Sequence, residues 1–268
     1  MSETDVIERT PFVRTTDSLR NDLACLGLPR EGALLVHSSL SALGWVNGGA
    51  VAAIRALLAA LGPKGTLVMP AHSGDCSDPA VWQHPPVPQA WWQTVRDTMP
   101  VFDPLVTPTR GLGRIAELFR TWPGAKRSVH PAYSFGALGP LAESITANHS
   151  LDFGLGENSP LGRLYESAAW VLLLGAGYDS NTCFHLAEYR IPDPKIVTEG
   201  APAFVDGRHT WQPRREVVLN SEVFAALGED FERSGAVRTG VVGSAAARLF
   251  PMRGAVDFAV GWLSHRGA

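Results

Sequence analysis

The chain of 268 residues, 45% of them hydrophobic, is long enough for one globular domain spanning 1–268, with residues 1–14 expected to be a loosely ordered segment. Its formal net charge of −3 argues against non-specific nucleic-acid binding, which requires a basic face. The charged N-terminus has no apolar signal core, and the apolar runs are too short to cross a bilayer, so we expect a cytoplasmic location.

The first half of the chain predicts a strand–helix–strand unit followed by a long loop. The apolar run ALLVH is typical of a buried parallel strand, and GTLVMP is its partner after an intervening helix. Residues 71–110 carry little periodicity and many prolines, which predicts a shaped and ordered loop. The helices predicted in this half are 15–28, 50–62, 113–122 and 139–148, and the strands are 33–37, 65–70 and 134–139.

The second half predicts another strand–loop–helix unit and an antiparallel hairpin. AAWVLLLG is the clearest central strand, and alternation around an Asp-Gly turn predicts two antiparallel strands. The predicted strand is 168–175, the hairpin is 196–220 with its turn at 206–207, and the helices are 160–166, 180–190, 221–233 and 254–265. We therefore expect an α/β fold whose mixed, largely parallel central sheet is flanked by helices, with an antiparallel C-terminal part.

The segment DSNTCFHLAE, at 179–188, is the strongest local candidate for chemistry. His185 and Glu188 are three apart and share one face of the predicted helix. A carboxylate that accepts the imidazole Nδ1–H leaves Nε2 as a general base matched to neutral pH. Asp179 follows the strand directly, where α/β sheets place ligand-binding groups. By spacing alone, an ordinary His–Glu pair on a helix surface explains the pattern equally well.

The turn VHSSLSALGWVNGG, at 36–49, is the second candidate. Small hydroxyl side chains and two glycines precede a helix, so backbone N–H groups there could hold the pyrophosphate of a nucleotide cofactor. The turn matches neither a Walker A sequence nor a dinucleotide-binding glycine motif. A capped strand-to-helix turn without a ligand is the plainer interpretation.

Other polar clusters support weaker hypotheses. The segment KRSVHP at 126–131 could hold a phosphate, and it could equally be a solvated basic turn. Asp75, Asp103 and Glu157 could form an anionic cleft, although acids before proline are also ordinary turn residues. Cys183 lies beside His185 in sequence, and a buried helix cysteine is commoner than a nucleophile. The histidines and cysteines lack ligand spacing, so no metal is expected.

The segments taken together resemble the aminoglycoside N3-acetyltransferase family, the antibiotic acetyltransferases outside the GNAT type. LLVHSSLSALGWVNGGA, RSVHPAYSFGALG, ANHSLDFGLGENSPLGRLY and VLLLGAGYDSNTCFHLAE carry the resemblance, which extends roughly over 15–265. The resemblance implies an antibiotic N-acetyltransferase-like fold and transfer of acetyl from acetyl-CoA to the 3-amino group of a 2-deoxystreptamine aminoglycoside. It also implies direct attack in a ternary complex, without an acyl-enzyme, and antibiotic resistance as the outcome.

The same resemblance implies roles for individual residues. The family's catalytic histidine falls on His185 and its helical glutamate on Glu188, and Asp179 matches an acid in the equivalent turn. The positions implied to bind acetyl-CoA are His37, Ser38, Ser39, Leu40, Val46, Thr107, Thr109, Gly111, Ser128 and His130. The positions implied to line the aminoglycoside are Asp75, Asp103, Glu157 and Tyr178.

Departures from the family pattern concentrate near the implied acceptor pocket. Phe184 stands where many relatives have histidine, Glu157 replaces a Pro-Gly turn, and His72 takes an aromatic or small position. These differences bear on the identity of the amine more than on the chemistry. One alternative is therefore a CoA-dependent N-acyltransferase that acts on another amine in biosynthesis. A non-catalytic sensor of CoA or of a nucleotide is the alternative from a different class.

Overall fold

In a computed structural model, residues 2–82 and 85–266 are described, and they form a seven-stranded sheet, a separate hairpin and flanking helices. The strands are β1 Glu31–Ser38, β2 Lys64–Pro70, β3 Lys126–Arg127, β4 Phe135–Leu138, β5 Trp170–Leu174, β6 Ile196–Val205, β7 Arg208–Val217, β8 Arg238–Val242 and β9 Ala245–Pro251. The helices are α1 Glu3–Glu8, α2 Thr16–Cys25, α3 Gly49–Leu61, α4 Trp92–Thr98, α5 Gly113–Arg120, α6 Ala142–Thr146, α7 Pro160–Glu166, α8 His185–Glu188, α9 Phe224–Arg233 and α10 Met252–Arg266.

The seven strands lie in the order β3-β4-β2-β1-β5-β9-β8, with β1 at the centre. Strand β1 pairs in parallel with β2 and with β5, and every other neighbouring pair that is described in the sheet is antiparallel. The predicted mixed α/β sheet is thus confirmed, with its parallel part confined to the three central strands. Those strands end at the same edge, which brings His37 and the segment after Leu174 together.

The core has two halves, one on each face of the sheet. Along β1, Leu34 packs in one half and Leu35 in the other, because successive side chains of a strand point to opposite faces. Helices α2, α3 and α5 cover the Leu34 face, and α7, α9 and α10 cover the Leu35 face. Across residues 2–82 and 85–266, no helix is both long and apolar enough to cross a membrane.

Several local predictions from the sequence are confirmed. Ser159 accepts a hydrogen bond from the N–H of Leu161, and Pro160 is the first residue of α7. The hairpin β6–β7 turns at Asp206 and Gly207, whose φ angles of 50° and 74° are those of a tight turn that favours Asn, Asp or Gly.

Two predictions are wrong. The N-terminal segment is not loose, because Ser2 and Asp5 exchange side-chain and backbone hydrogen bonds in a capping box that starts α1. The helix predicted over 180–190 is instead two 3₁₀ turns followed by the single turn of α8, His185–Glu188. Asn181 interrupts it with ψ of 86°, outside the helical range.

A candidate active site at the carboxyl edge of the parallel strands

His185 and Glu188 form a hydrogen-bonded pair on α8. The Nδ1–H of His185 donates to Oε2 of Glu188 at 2.6 Å, and the other carboxylate oxygen accepts from the backbone N–H of Asn220 at 2.7 Å. The side chain of Glu188 is 6% exposed and that of His185 16% exposed. Because both carboxylate oxygens already accept, Glu188 fixes the imidazole tautomer and leaves Nε2 of His185 free to take a proton.

Asp179 does not share this arrangement. It lies in the 3₁₀ turn Tyr178–Ser180 and is exposed, without a hydrogen bond to another described residue. Tyr178 is also misplaced by the sequence analysis, since it is 5% exposed and its hydroxyl donates to Glu232 at 3.0 Å. Burial, followed by the hydrogen bond to Glu232, raises the pKa of Tyr178. The structure therefore assigns Glu188 to the histidine and buries Tyr178 beneath α9.

Two further histidines lie close to His185. Burial, followed by the nearby His185, lowers the pKa of His37 to about 3, and the same causes lower the pKa of His72 to about 3. Both imidazoles are therefore neutral at pH 7. Their Nε2 atoms are buried without a hydrogen-bond partner in the described residues. The site thus holds polar groups whose hydrogen-bonding capacity is unfilled, which is typical of a functional site.

Cys183 precedes His185 by two residues but is fully buried in the core. Burial raises the pKa of its thiol to about 12, so the reactive thiolate is scarce at neutral pH. The site is therefore unsuited to nucleophilic attack by this cysteine.

Two adjoining cavities lead away from His37. The inner cavity has a volume of about 360 Å³ and is lined by His37, Thr182 and the chain at Gly175–Gly177. The outer cavity has a volume of about 530 Å³, within the range of cofactor sites. The residues that line both cavities are Ser38, Ser39, Gly111 and Leu112. Together the cavities form one elongated channel that starts near the paired histidine and ends at α1.

Two helix N-termini face the outer cavity. Gly49, the first residue of α3, and Gly113, the first residue of α5, both line it, and neither helix has a side-chain cap at its N-terminus. The uncapped N–H groups and the positive ends of the two helix dipoles favour a negatively charged group between them. Arg114 adds a guanidinium to the same wall. This end of the channel is therefore suited to a phosphate-bearing ligand.

The positions predicted for acetyl-CoA divide into two groups. Ser38, Ser39, Leu40, Val46 and Gly111 line the outer cavity, and His37 lines the inner one. The other predicted positions, which stand outside both linings, are Thr107, Thr109, Ser128 and His130.

The second group serves the structure instead. Ser128 and His130 are fully buried, and Nδ1 of His130 accepts from the N–H groups of Ala132 and Tyr133. The hydroxyl of Thr107 accepts from the N–H of Asp103 at 2.9 Å. Ser128 and His130 are therefore corrected from ligand contacts to parts of the folded interior.

Arg127 is likewise a structural residue and not a phosphate site. Its guanidinium makes five hydrogen bonds, among them to the carbonyl of Ala71 at 2.7 Å and to the hydroxyl of Ser73 at 2.8 Å. Burial lowers its pKa to about 10, which leaves it charged at neutral pH. It fastens the long loop after β2 to the sheet edge.

The acids predicted to line an acceptor pocket are already engaged. Arg190 donates to both carboxylate oxygens of Glu157, at 2.6 and 2.9 Å, and Arg110 pairs with Asp75. Asp103 accepts from the N–H of Leu105 at 2.8 Å, as an exposed turn residue does. The structure does not gather these three acids into one free anionic cleft.

Several lining residues went unnoticed in the sequence. Trp45, Leu112 and Arg114 line the outer cavity, and so do Ser2, Glu3 and Val6 from α1 and its cap. Asn181 is fully buried beside the site, with both side-chain polar atoms unpartnered among the described residues. A capping-box pattern at Ser2–Asp5 was the one local signal for the α1 wall.

A general base oriented by a buried carboxylate, beside a channel with an anion-binding end, is the site of a group-transfer enzyme. Among the described residues, no group of three His, Cys, Asp or Glu side chains could hold a metal ion. Comparison with known proteins extends this class to a family.

The family model for aminoglycoside 3-N-acetyltransferases matches residues 35–264. The chain is 51% identical over 258 residues to the SPbeta prophage-derived aminoglycoside N(3')-acetyltransferase-like protein YokD of Bacillus subtilis, covering 96% of this chain and 95% of that protein. Its fold matches the crystal structure of YokD with a TM-score of 0.95, at 49% identity and covering 99% of each chain.

Other relatives are more distant. The chain is 36% identical to aminoglycoside N(3)-acetyltransferase VIII of Streptomyces fradiae, covering 99% of this chain and 97% of that protein. The structure of AAC-IIIb in a binary complex with CoASH matches with a TM-score of 0.82, at 35% identity and covering 95% and 98% of the two chains. The protein belongs to the aminoglycoside 3-N-acetyltransferase family, a family of acyltransferases.

Proposed function

We propose that this protein transfers acetyl from acetyl-CoA to the 3-amino group of a 2-deoxystreptamine aminoglycoside, and so confers antibiotic resistance. The observation that carries the proposal is the His185–Glu188 pair, which leaves Nε2 of His185 unengaged by the described residues at the inner end of the channel. The CoASH complex of AAC-IIIb and the N(3)-acetyltransferase of S. fradiae support both substrates by kinship.

The channel gives acetyl-CoA a direction. Its pyrophosphate fits between the uncapped N-termini of α3 and α5, which face the outer cavity through Gly49 and Gly113. The pantetheine arm then passes Ser38 and Ser39, which line both cavities, and the thioester reaches the inner cavity beside His37. This orientation brings the reacting carbonyl toward His185.

Direct attack follows from the groups present. The acceptor amine attacks the thioester carbonyl carbon while Nε2 of His185 takes its proton, and Glu188 stabilises the imidazolium that forms. The C–S bond then breaks, and the proton passes to the departing thiolate to give free CoA. The buried Cys183 supports transfer in a ternary complex without an acyl-enzyme, because its thiol is protonated at neutral pH.

Steady-state kinetics and product analysis test this function. With acetyl-CoA and an aminoglycoside panel, we expect thiol release and a product whose NMR spectrum carries the acetyl group at the 3-amino position. His185→Ala should lower kcat by on the order of 100-fold or more. His265→Ala is the matched control, since His265 is an exposed histidine that accepts or donates only locally on α10. A loss of less than threefold in His185→Ala would contradict the assignment of the base.

One observation favours a second candidate, acyl transfer to a different amine. Asp75 and Glu157 are paired with arginines, so they offer less charge to a polycationic antibiotic than free carboxylates would. Under this candidate, the protein binds CoA tightly but releases no thiol with any aminoglycoside of the panel. A measurable kcat/KM with a 2-deoxystreptamine compound would reject it.

A further inference from the structure

Helix α1 forms the outer wall of the channel although it contributes nothing to the core. No residue of α1 is buried, and its apolar side chain Ile7 is 51% exposed. A six-residue helix is unstable alone in water, so α1 depends on contacts with the rest of the protein. Ser2, Glu3 and Val6 line the outer cavity, opposite the chain at Gly111–Arg114.

A small set of contacts holds α1 in place. The indole N–H of Trp45 donates to a carboxylate oxygen of Glu3 at 3.3 Å, and the backbone N–H of Trp45 donates to the hydroxyl of Thr10 at 2.8 Å. The same hydroxyl donates to the carbonyl of Val6 at 2.6 Å. Trp45 is therefore the side chain that joins the N-terminal helix to the turn after β1.

The direction of the channel decides what meets this wall. If the thioester lies beside His37, the far end of acetyl-CoA, its adenine nucleotide, lies at α1, Trp45 and Arg114. An adenine ring offers a flat face for stacking on an indole and an exocyclic amine that donates hydrogen bonds. Half-buried Trp45 supplies the indole, and Glu3 keeps its second carboxylate oxygen available as an acceptor.

We propose that α1 and Trp45 form an adenine clasp, in which Trp45 stacks on the base of acetyl-CoA and Glu3 accepts a hydrogen bond from its exocyclic amine. The clasp rests on the proposed function, because it needs the nucleotide at the outer end of the channel. It gives the exposed helix α1 a role in choosing CoA over smaller acyl thioesters.

Titration calorimetry of the full chain with CoA and with 4′-phosphopantetheine, which lacks the adenine nucleotide, tests the clasp. We expect Glu3→Ala to weaken CoA binding about threefold to tenfold, the range for one lost hydrogen bond. Trp45→Ala should weaken it about tenfold or more, because the stacking surface is lost as well. Neither variant should change the affinity for 4′-phosphopantetheine by more than about twofold, since that ligand does not reach α1.

Two controls separate recognition from folding. Glu3→Gln keeps an acceptor oxygen and should bind CoA almost as the unmodified chain does. Thr4→Ala alters an exposed residue of the same helix that does not line the cavity, and it should change nothing. Because Glu3 is exposed, its substitution cannot unfold the core, and an unchanged thermal midpoint will confirm this.

The outcomes distinguish the two proposals. Unchanged CoA affinity in both Glu3→Ala and Trp45→Ala would overturn the clasp and leave the proposed function standing. An equal loss for CoA and for 4′-phosphopantetheine would also overturn it, because α1 would then act on the whole channel. If the unmodified chain binds no CoA at all, the proposed function fails and the clasp fails with it.

Discussion

Replacing Glu188 by Gln is the sharpest test of the base. Glu188 uses its two oxygens as acceptors, one for Nδ1–H of His185 and one for the N–H of Asn220. A glutamine of nearly the same size has one acceptor oxygen and one NH₂ donor. One of the two donors must then face the NH₂ group, or the imidazole must move its proton to Nε2, where it can no longer accept the proton of the amine.

The size of the effect follows from the bond that is lost. A hydrogen bond to a charged group contributes about 1.5–3 kcal/mol, and about 1.36 kcal/mol of barrier changes a rate tenfold. Glu188→Gln should therefore lower kcat/KM by about 10- to 150-fold. The assay is thiol release from acetyl-CoA under saturating acceptor, with thermal melting to check the fold.

Matched variants define the refutation. Glu229→Gln removes an exposed carboxylate from α9 and should leave kcat/KM unchanged. Glu188→Asp keeps the charge and should recover part of the rate. If Glu188→Gln keeps kcat/KM within threefold of the unmodified enzyme while its stability is also unchanged, then the buried carboxylate does not orient the base.

Three more outcomes are expected. Stability should fall with pH from about 6.5, because the unfolded chain takes up protons there that the buried neutral histidines refuse, and each such histidine contributes about 1.36 kcal/mol per pH unit. These are His37, His72, His130 and His149, whose pKa values burial lowers first, to about 3, about 3, well below the usual value, and about 4. Denaturant titrations between pH 5 and 7 measure the slope, and a flat profile would contradict it. Cys183→Ala should keep kcat within about threefold, whereas a loss of 100-fold or more would revive the thiol as a nucleophile. Glu216→Gln, which breaks a buried pair with Arg214 and a hydrogen bond from Tyr189, should lower the free energy of unfolding by about 3–5 kcal/mol, and a change under 1 kcal/mol in denaturant titration would refute that.

The central strands were predictable because their signals are local. Runs such as ALLVH and AAWVLLLG are apolar without alternation, as buried parallel strands are, and the structure places β1 and β5 side by side. The Asp206–Gly207 turn was equally readable, since its φ angles suit few other residues. The 3-residue spacing of His185 and Glu188 survived even though the predicted long helix did not, because one helical turn is enough to bring the pair together.

The partners of the acids could not be predicted from the sequence. Glu157 and Arg190 are 33 residues apart, and Asp75 and Arg110 are 35 apart, so no local pattern announces either ion pair. Likewise, the buried polar role of His130 depends on loop carbonyls and amides that only the tertiary fold supplies. Long-range packing decides which charged residues remain available to a ligand.

The hydrogen bond from Asn220 to Glu188 has a consequence for biosynthesis. The carboxylate that orients His185 is itself held by an amide 32 residues later in the chain, after the β6–β7 hairpin. Phe224, whose ring lies 4.7 Å from that of His185, comes later still. On the ribosome, the catalytic pair is therefore completed only once most of the polypeptide has emerged, so a nascent or prematurely ended chain carries His185 without the setting that makes it a base.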